Sequence, residues 1–183
     1  MYGFMSSIMA RQRYAEYIES EKAKHTRAVD VGKSECTRCG YCCLQRPCIP
    51  TPDELEKIIE FLGLTAFDAI KKFFLIDSLG TDETKFIFPA KETQLDITGT
   101  YIPSERTFDE GYCIFYDKRE HNCKIWPVRP KTARVMECWT ENDDITDKTL
   151  EETLKAWENF DFSKLGIEDN ALADDDYDND ELT

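Results

Sequence analysis

A small α+β fold is the class this sequence predicts: a metal-stapled irregular core with two short helices and a β-hairpin, flanked by an N-terminal and a C-terminal helix. Three observations predict it. Five cysteines, Cys36, Cys39, Cys42, Cys43 and Cys48, crowd one segment, and Cys113, Cys123 and Cys138 form a second group far along the chain. Two capped amphipathic helices follow the first group. Two short β-like runs joined by a polar turn carry part of the second.

The spacing of the first group explains its chemistry. A soft cation such as iron or zinc favours thiolate ligands, and two residues between cysteines let a tight turn aim both sulfurs at one point while backbone amides face them. Gly40 suits such a turn, since backbone folding round a metal often needs positive φ. Adjacent Cys42 and Cys43 cannot both point the same way in ordinary backbone, so one is expected to ligate and the other to serve a second centre or none. A disulfide framework is the competing reading of eight cysteines. The N-terminus shows no secretory pattern, and CxxC spacings in a non-secreted chain favour metal or redox work, which places the expected compartment in the cytoplasm.

Composition bounds the rest. Length predicts one domain with appendages: a helical extension over 1–33, a metal-binding domain over 34–140, a C-terminal helix over 141–166 and an acidic tail over 167–183. With 41% hydrophobic and 33% charged residues the apolar core is modest, so a metal clip would add stability. No run approaches the roughly 18 apolar residues of a membrane span. From Asp161 to Thr183 nine acidic residues stand against Lys164, a net of −8 out of −14, leaving −6 for residues 1–160. That balance repels a phosphate backbone and argues against nucleic acid as a partner.

Residues 4–30 are rich in helix formers and charges, with Tyr14 and Ile18, or Met5, Ile8 and Met9, at helical spacing; a helix is expected from about Ser7 to about His25. It either packs on the core or docks a partner. After the cysteine cluster Thr51 is a cap, Pro52 suits the first helical position, and Glu54 completes a capping box. Leu55, Ile58, Ile59 and Leu62 mark the buried face and Gly63 ends the helix. Thr65 caps the next one, with Asp68 three residues on and Phe67, Ile70, Phe73 and Phe74 as its apolar side. From Ile76 to about Gly111 short β-like runs follow, Lys85-Phe86-Ile87-Phe88 the clearest, with no chemistry to assign and room for a partner surface.

The runs beginning at Cys113 and ending at Trp126 read as two strands joined through Lys118–Asn122, a hairpin that brings Cys113 and Cys123 to one end. His121 lies in that turn among polar residues, where a solvated side chain is the ordinary outcome, and His25 is a weaker ligand candidate still. Pro127 and Pro130 stop the strand. Lys131 to Cys138 then suits a short helix delivering Cys138, with Trp139 over the site. Arg129 and Arg134, like Arg38 and Arg46, are candidates to offset thiolate charge, against the plain reading of exposed arginines. Asp147 to Phe160 reads as a helix with Leu150, Leu154 and Trp157 on one face and Thr149 as its cap. The tail beyond Gly166 is too acidic to bury anything, and is expected to be disordered or to order only against a basic partner.

Taken together, Cys36-x2-Cys39-Gly40-x-Cys42-Cys43, Pro52-Asp-Glu54-Leu55, Cys113-x-Phe115 and Cys123-x-Ile125-Trp126-x2-Arg129-Pro130 resemble the CxxCxxCC, or YkgJ-type, family, described as chelating zinc or iron. The likeness covers roughly 34–138. After Arg-Pro that family usually carries a Cys-Arg pair three residues on; here Ala133 and Arg134 stand there, and Cys138 is the candidate substitute one helical turn later. The resemblance implies metal binding more firmly than any reaction. A related branch that methylates flagellin lysines is longer, and no further domain to bind a methyl donor is evident here.

Four thiolates satisfy either a structural zinc or a [4Fe–4S] cluster. The run from Cys36 to Cys42, followed by Cys48, also looks like a stretched bacterial ferredoxin pattern, and surplus soft thiols with only two histidines favour iron–sulfur. The expected function is an accessory, maturation or electron-transfer subunit of a larger assembly. A zinc-stabilised interaction module is the alternative, and a cluster-dependent enzyme the third. The sequence carries no GxGxxG, Walker, GxSxG or HExxH pattern. The CxxxCxxC of radical enzymes fails at Arg46.

Overall fold

A computed structural model describes residues 2–27, 36–45, 48–79, 84–135 and 143–167, with the side chains of 2–7 and 143–146 excepted. Its elements are α1 (Tyr2–Lys22), α2 (Tyr41–Gln45), α3 (Pro52–Leu62), α4 (Ala66–Phe73), β1 (Phe74–Leu79), β2 (Thr84–Pro89), β3 (Tyr116–Asp117), β4 (Asn122–Cys123), α5 (Lys131–Arg134) and α6 (Asp143–Trp157). Small α+β is the class observed.

Local chemistry sets α3 and α4. The Thr51 hydroxyl accepts from the Glu54 amide at 3.3 Å, and the Thr51 amide donates to Glu54 Oε2 at 3.1 Å, which closes the expected capping box. Gly63 ends α3 at φ 66°, a left-handed position with open space beside it. Thr65 caps α4 by accepting from the Asp68 amide at 3.1 Å. The aromatic side expected of α4 is corrected in two places. Phe67 is 45% exposed, with the Lys71 ammonium over its ring, while Ile70 is buried as expected and Ala69 beside it takes the place of Phe67. Phe74 lies past the helix and opens β1, because the chain turns extended there.

β1 and β2 form an antiparallel pair in the register Phe74↔Pro89 through Leu79↔Thr84. The sheet packs on α6 through β2. Leu55 and Ile58 of α3, Ile70 of α4, Phe74, Leu75 and Ile76 of β1, Ile87 of β2 and Trp157 of α6 share one core. Thr149, read as a cap for α6, is instead buried within it, because α6 begins earlier, at Asp143; its carbonyl accepts from the Thr153 hydroxyl at 2.8 Å.

Two short connections carry this core to the cysteines. The chain after β2 meets the second cysteine group at an antiparallel bridge between Lys91 and Cys113, with the Glu92 amide donating to the Tyr112 carbonyl and the Ile114 amide to the Ala90 carbonyl, both at 2.9 Å. Phe115 then enters the core against Phe73 and Phe74, with ring centroids 5.3 and 5.7 Å away. The segment after Cys48 is pinned from the other side. Thr132 of α5 donates to the Ile49 carbonyl at 2.7 Å, and the Trp157 indole donates to the Pro50 carbonyl at 2.8 Å.

Candidate metal centre

Three chain segments converge. Cys42 and Cys43 sit on the five-residue α2, whose neighbour in space is Cys113, since the Cys113 amide donates to the Cys43 carbonyl at 2.9 Å. Cys123 lies on β4, paired with β3 in the register Tyr116↔Cys123 and Asp117↔Asn122. The expected hairpin forms only next to its turn, with Cys113 outside it on the Lys91 bridge and Trp126 in a 3-10 turn. Asp117 Oδ1 accepts from the Arg119 and Glu120 amides and His121 takes a left-handed φ of 45°, a conformation polar residues tolerate best. His121 is exposed, 3.3 Å from the Tyr116 hydroxyl.

The Cys36–Cys39 turn folds as its spacing requires. Arg38 adopts φ 56° and Gly40 φ 85°, and the Arg38 amide donates to Cys36 Sγ at 3.3 Å. A methyl group on Gly40 would land in the ring of Tyr116, so this position needs glycine for space as well as for φ. Arg38 also ties the turn to the hairpin, donating to Asn122 Oδ1 at 3.2 Å while its carbonyl accepts from the Tyr116 hydroxyl. The guanidinium groups of Arg38 and Arg129 both lie over the Trp126 ring, 4.4 and 3.4 Å from its centre.

All seven described cysteines are half-buried, and none of them is in a disulfide. Their electrostatics mark a common neighbourhood. Desolvation pushes the Cys113 thiol up to about 12 and also raises Cys48 and Cys123, with Cys42 adding to the rise at all three. Amides of Phe115 and Ile125, hydrogen-bonded to the Cys113 and Cys123 sulfurs, pull the other way. A hydrogen bond between adjacent Cys42 and Cys43 lowers the first and raises the second. Three cysteines, 36, 113 and 123, thus each receive the amide two residues on, the arrangement that stabilises a thiolate against a metal.

Arg129 is the cation that acts on Cys42, Cys48 and Cys123, and its buried Nε has no hydrogen-bond partner among the described residues. A buried donor without an acceptor is costly, and here it sits in the field of several sulfurs. Arg134 is engaged elsewhere, with Glu54 Oε1 at 3.2 Å, an atom that also accepts from the Lys131 amide. Cys138, Trp139 and Arg46 lie outside the described residues, as does the acidic tail beyond Ile167.

The donor chemistry therefore fits a thiophilic metal. Among the described residues no three histidine, cysteine or carboxylate side chains stand together as a ready ligand set, so the thiols share a neighbourhood without forming a coordination polyhedron.

Residues outside the thiol set frame this neighbourhood, His25 among them, with both ring nitrogens engaged by protein groups. His25 bridges the Glu21 carbonyl through Nδ1 at 2.7 Å and the Tyr112 hydroxyl through Nε2 at 2.9 Å. A carbonyl only accepts, so Nδ1 carries the proton. Tyr112 stacks on Tyr116 at 5.0 Å, and Tyr14 of α1 reaches the end of α2. Lys91 is buried beside Cys113 in the ladder, and desolvation pulls its ammonium down to about 8.

Fold and site together define a cysteine-rich chelating domain on a small α+β frame. The chain belongs to the CxxCxxCC family, described as a "Putative zinc- or iron-chelating domain", whose model matches residues 35–157. The match runs beyond the 34–138 covered by the motifs themselves and takes in all of α6. Among curated proteins, the uncharacterized protein MJ0661 of Methanocaldococcus jannaschii is 24% identical over 127 residues, which is 69% of this chain and 57% of that protein. The chain thus spans little more than half of that relative's length. No solved structure matches it. Among the described residues no helix is long and apolar enough to cross a membrane.

Proposed function

We propose that the thiols hold an iron–sulfur centre, a [4Fe–4S] cluster first, whose four thiolates are drawn from Cys36, Cys39, one of Cys42 and Cys43, Cys113 and Cys123, with Cys48 and Cys138 in reserve. The role proposed is an accessory, maturation or electron-transfer subunit of a larger assembly in the cytoplasm. The observation that supports this reading is the excess of sulfur over what one tetrahedral ion needs: Cys36, Cys42, Cys43, Cys48, Cys113 and Cys123 interact electrostatically, with the unsatisfied Arg129 donor beside them. A cluster presents additional sulfides and negative charge for such donors.

When bound, the centre would supply one-electron chemistry. The chain's residues supply thiolates, amide donors to sulfur and guanidinium charge. Thiols raised by burial hold their protons near neutral pH, so capture of the metal releases them. Capture also draws together a loop of about 75 residues between the two cysteine groups, a large closure that metal binding would stabilise. A partner is supported by Ile8 and Met9, 48% and 60% exposed on α1.

Zinc is the second reading, favoured by the Cys36–Cys39 turn with its left-handed Arg38 and amide-to-sulfur bond, which suits a single ion. Anaerobic purification followed by absorption spectroscopy and iron, zinc and sulfide analysis on one sample separates the two. A brown protein with a broad band near roughly 400 nm and matched iron and sulfide is the expected result. A colourless protein with one zinc would replace electron transfer with a structural interaction module.

A further inference from the structure

The helix that presents Cys42 and Cys43 is too short to hold its own orientation. Five residues form little more than one turn, and the last carbonyls of any helix have no partner within it. Here the Leu44 and Gln45 carbonyls both receive the Tyr14 hydroxyl of α1, each at 2.5 Å. A phenol has one proton to share and can also accept. Its acceptor side is filled by Lys91 Nζ at 2.8 Å.

Lys91 is only 3% exposed. Its ammonium also donates to the Asp109 carbonyl at 2.6 Å and lies 4.3 Å from the centre of the Tyr14 ring, and it makes no ion pair among the described residues. Burying a charge whose direct hydrogen-bond partners are neutral is expensive even with the Asp109 and Glu110 carboxylates nearby, and the fold accepts that cost where the Lys91 backbone is laddered to Cys113. One lysine thereby links both cysteine groups, through its backbone to Cys113 and through its ammonium and Tyr14 to the end of α2. The neighbouring contacts follow the same line: Tyr14 packs on Phe108, and His25, three residues past the end of α1, reaches Tyr112, next to Cys113.

We propose that Tyr14 and Lys91 are positioning residues for the thiol site: the hydrogen-bond chain Lys91–Tyr14–α2 orients the helix bearing Cys42 and Cys43, so that docking of α1 and capture of metal stabilise each other. The inference rests on the metal-binding reading. Such a coupling is reciprocal, so metal must protect α1 by the same factor by which docked α1 tightens metal binding.

The test uses the full reduced chain, zinc titrated against a chromophoric chelator, and amide exchange over α1 with and without zinc. In the wild type, zinc is expected to slow exchange in α1 about tenfold, the scale of one good hydrogen bond to a charged network. Tyr14→Phe keeps the ring and its contact with the ammonium but removes the hydroxyl. It is expected to weaken zinc binding about tenfold and to abolish most of the zinc-dependent slowing. Lys91→Met should do the same, and if it does not fold, Tyr14→Phe still decides the matter. Glu56→Ala, exposed on α3, is the control and should change neither readout. Wild-type affinity in Tyr14→Phe, or α1 exchange indifferent to zinc, overturns the coupling alone. A wild-type chain that takes up no zinc overturns the coupling as stated, and one that takes up neither zinc nor iron overturns the metal-binding reading with it.

Discussion

The half of the molecule built from α3, α4 and the β1–β2 hairpin and the half that carries the thiols are stabilised by different physics. In the first, Leu55, Ile58, Ile70, Phe74, Leu75, Ile76 and Ile87 are almost fully buried, and both helices carry side-chain caps. Apolar burial of this kind is non-directional and needs no ligand. In the second, Leu44, Phe115 and Ile125 are the buried apolar anchors among single hydrogen bonds, cation–π contacts and half-buried thiols. The lesson is a division of labour in which one half is held by apolar burial and helix caps and the other by directed hydrogen bonds and cation–π contacts round its thiols.

Breaking the joint between them should have the largest effect. Phe115 belongs to the thiol half by sequence and to the core by contact, so Phe115→Ala should cost about 4 kcal/mol and lower metal occupancy as well. Urea denaturation and metal analysis on the same preparation check this; full occupancy at reduced stability would show that the halves are independent. Ile58→Ala tests the first half alone, with a loss of about 3 kcal/mol and unchanged metal affinity expected. Parallel melting curves with and without metal should shift together.

Gly40→Ala sharpens the contrast from the other side. The positive φ and the collision with Tyr116 should cost about 2 kcal/mol, felt mainly as weaker metal retention against a chelator. Equal retention in wild type and variant would remove Gly40 from the site. The smallest effect belongs to the capping box. Thr51→Ala should lower the melting temperature in line with about 1 kcal/mol while leaving metal content intact.

The same division decided what the sequence disclosed. Caps at Thr51 and Thr65 were legible because donor and acceptor lie three residues apart, and the β3–β4 hairpin because its turn chemistry is local. Thiols as a group were legible from spacing. Phe74 was read into a helical face that stops one residue before it, since an apolar period says nothing about where the backbone turns extended. Tyr14 gave no signal of its partners, which stand 30, 31 and 77 residues away, and Lys91 looked like any lysine beside a strand. Arg134 offered charge at a plausible place, but Glu54, freed by its capping geometry to use a second oxygen, engages it. Contacts of that range are products of the fold, and no local pattern encodes them.

The wide separation of the two cysteine groups also has a consequence in time. At synthesis rates of about 5 to 20 residues per second, Cys36 to Cys48 leave the ribosome several seconds before Cys113 and Cys123 exist. Trp157, which fixes the Pro50 carbonyl, comes later still. During that interval the nascent chain is a bare string of five thiols with no second group to close on. The five thiols of the first group therefore face a wrong metal or an oxidant during those seconds without the partners that the second group brings.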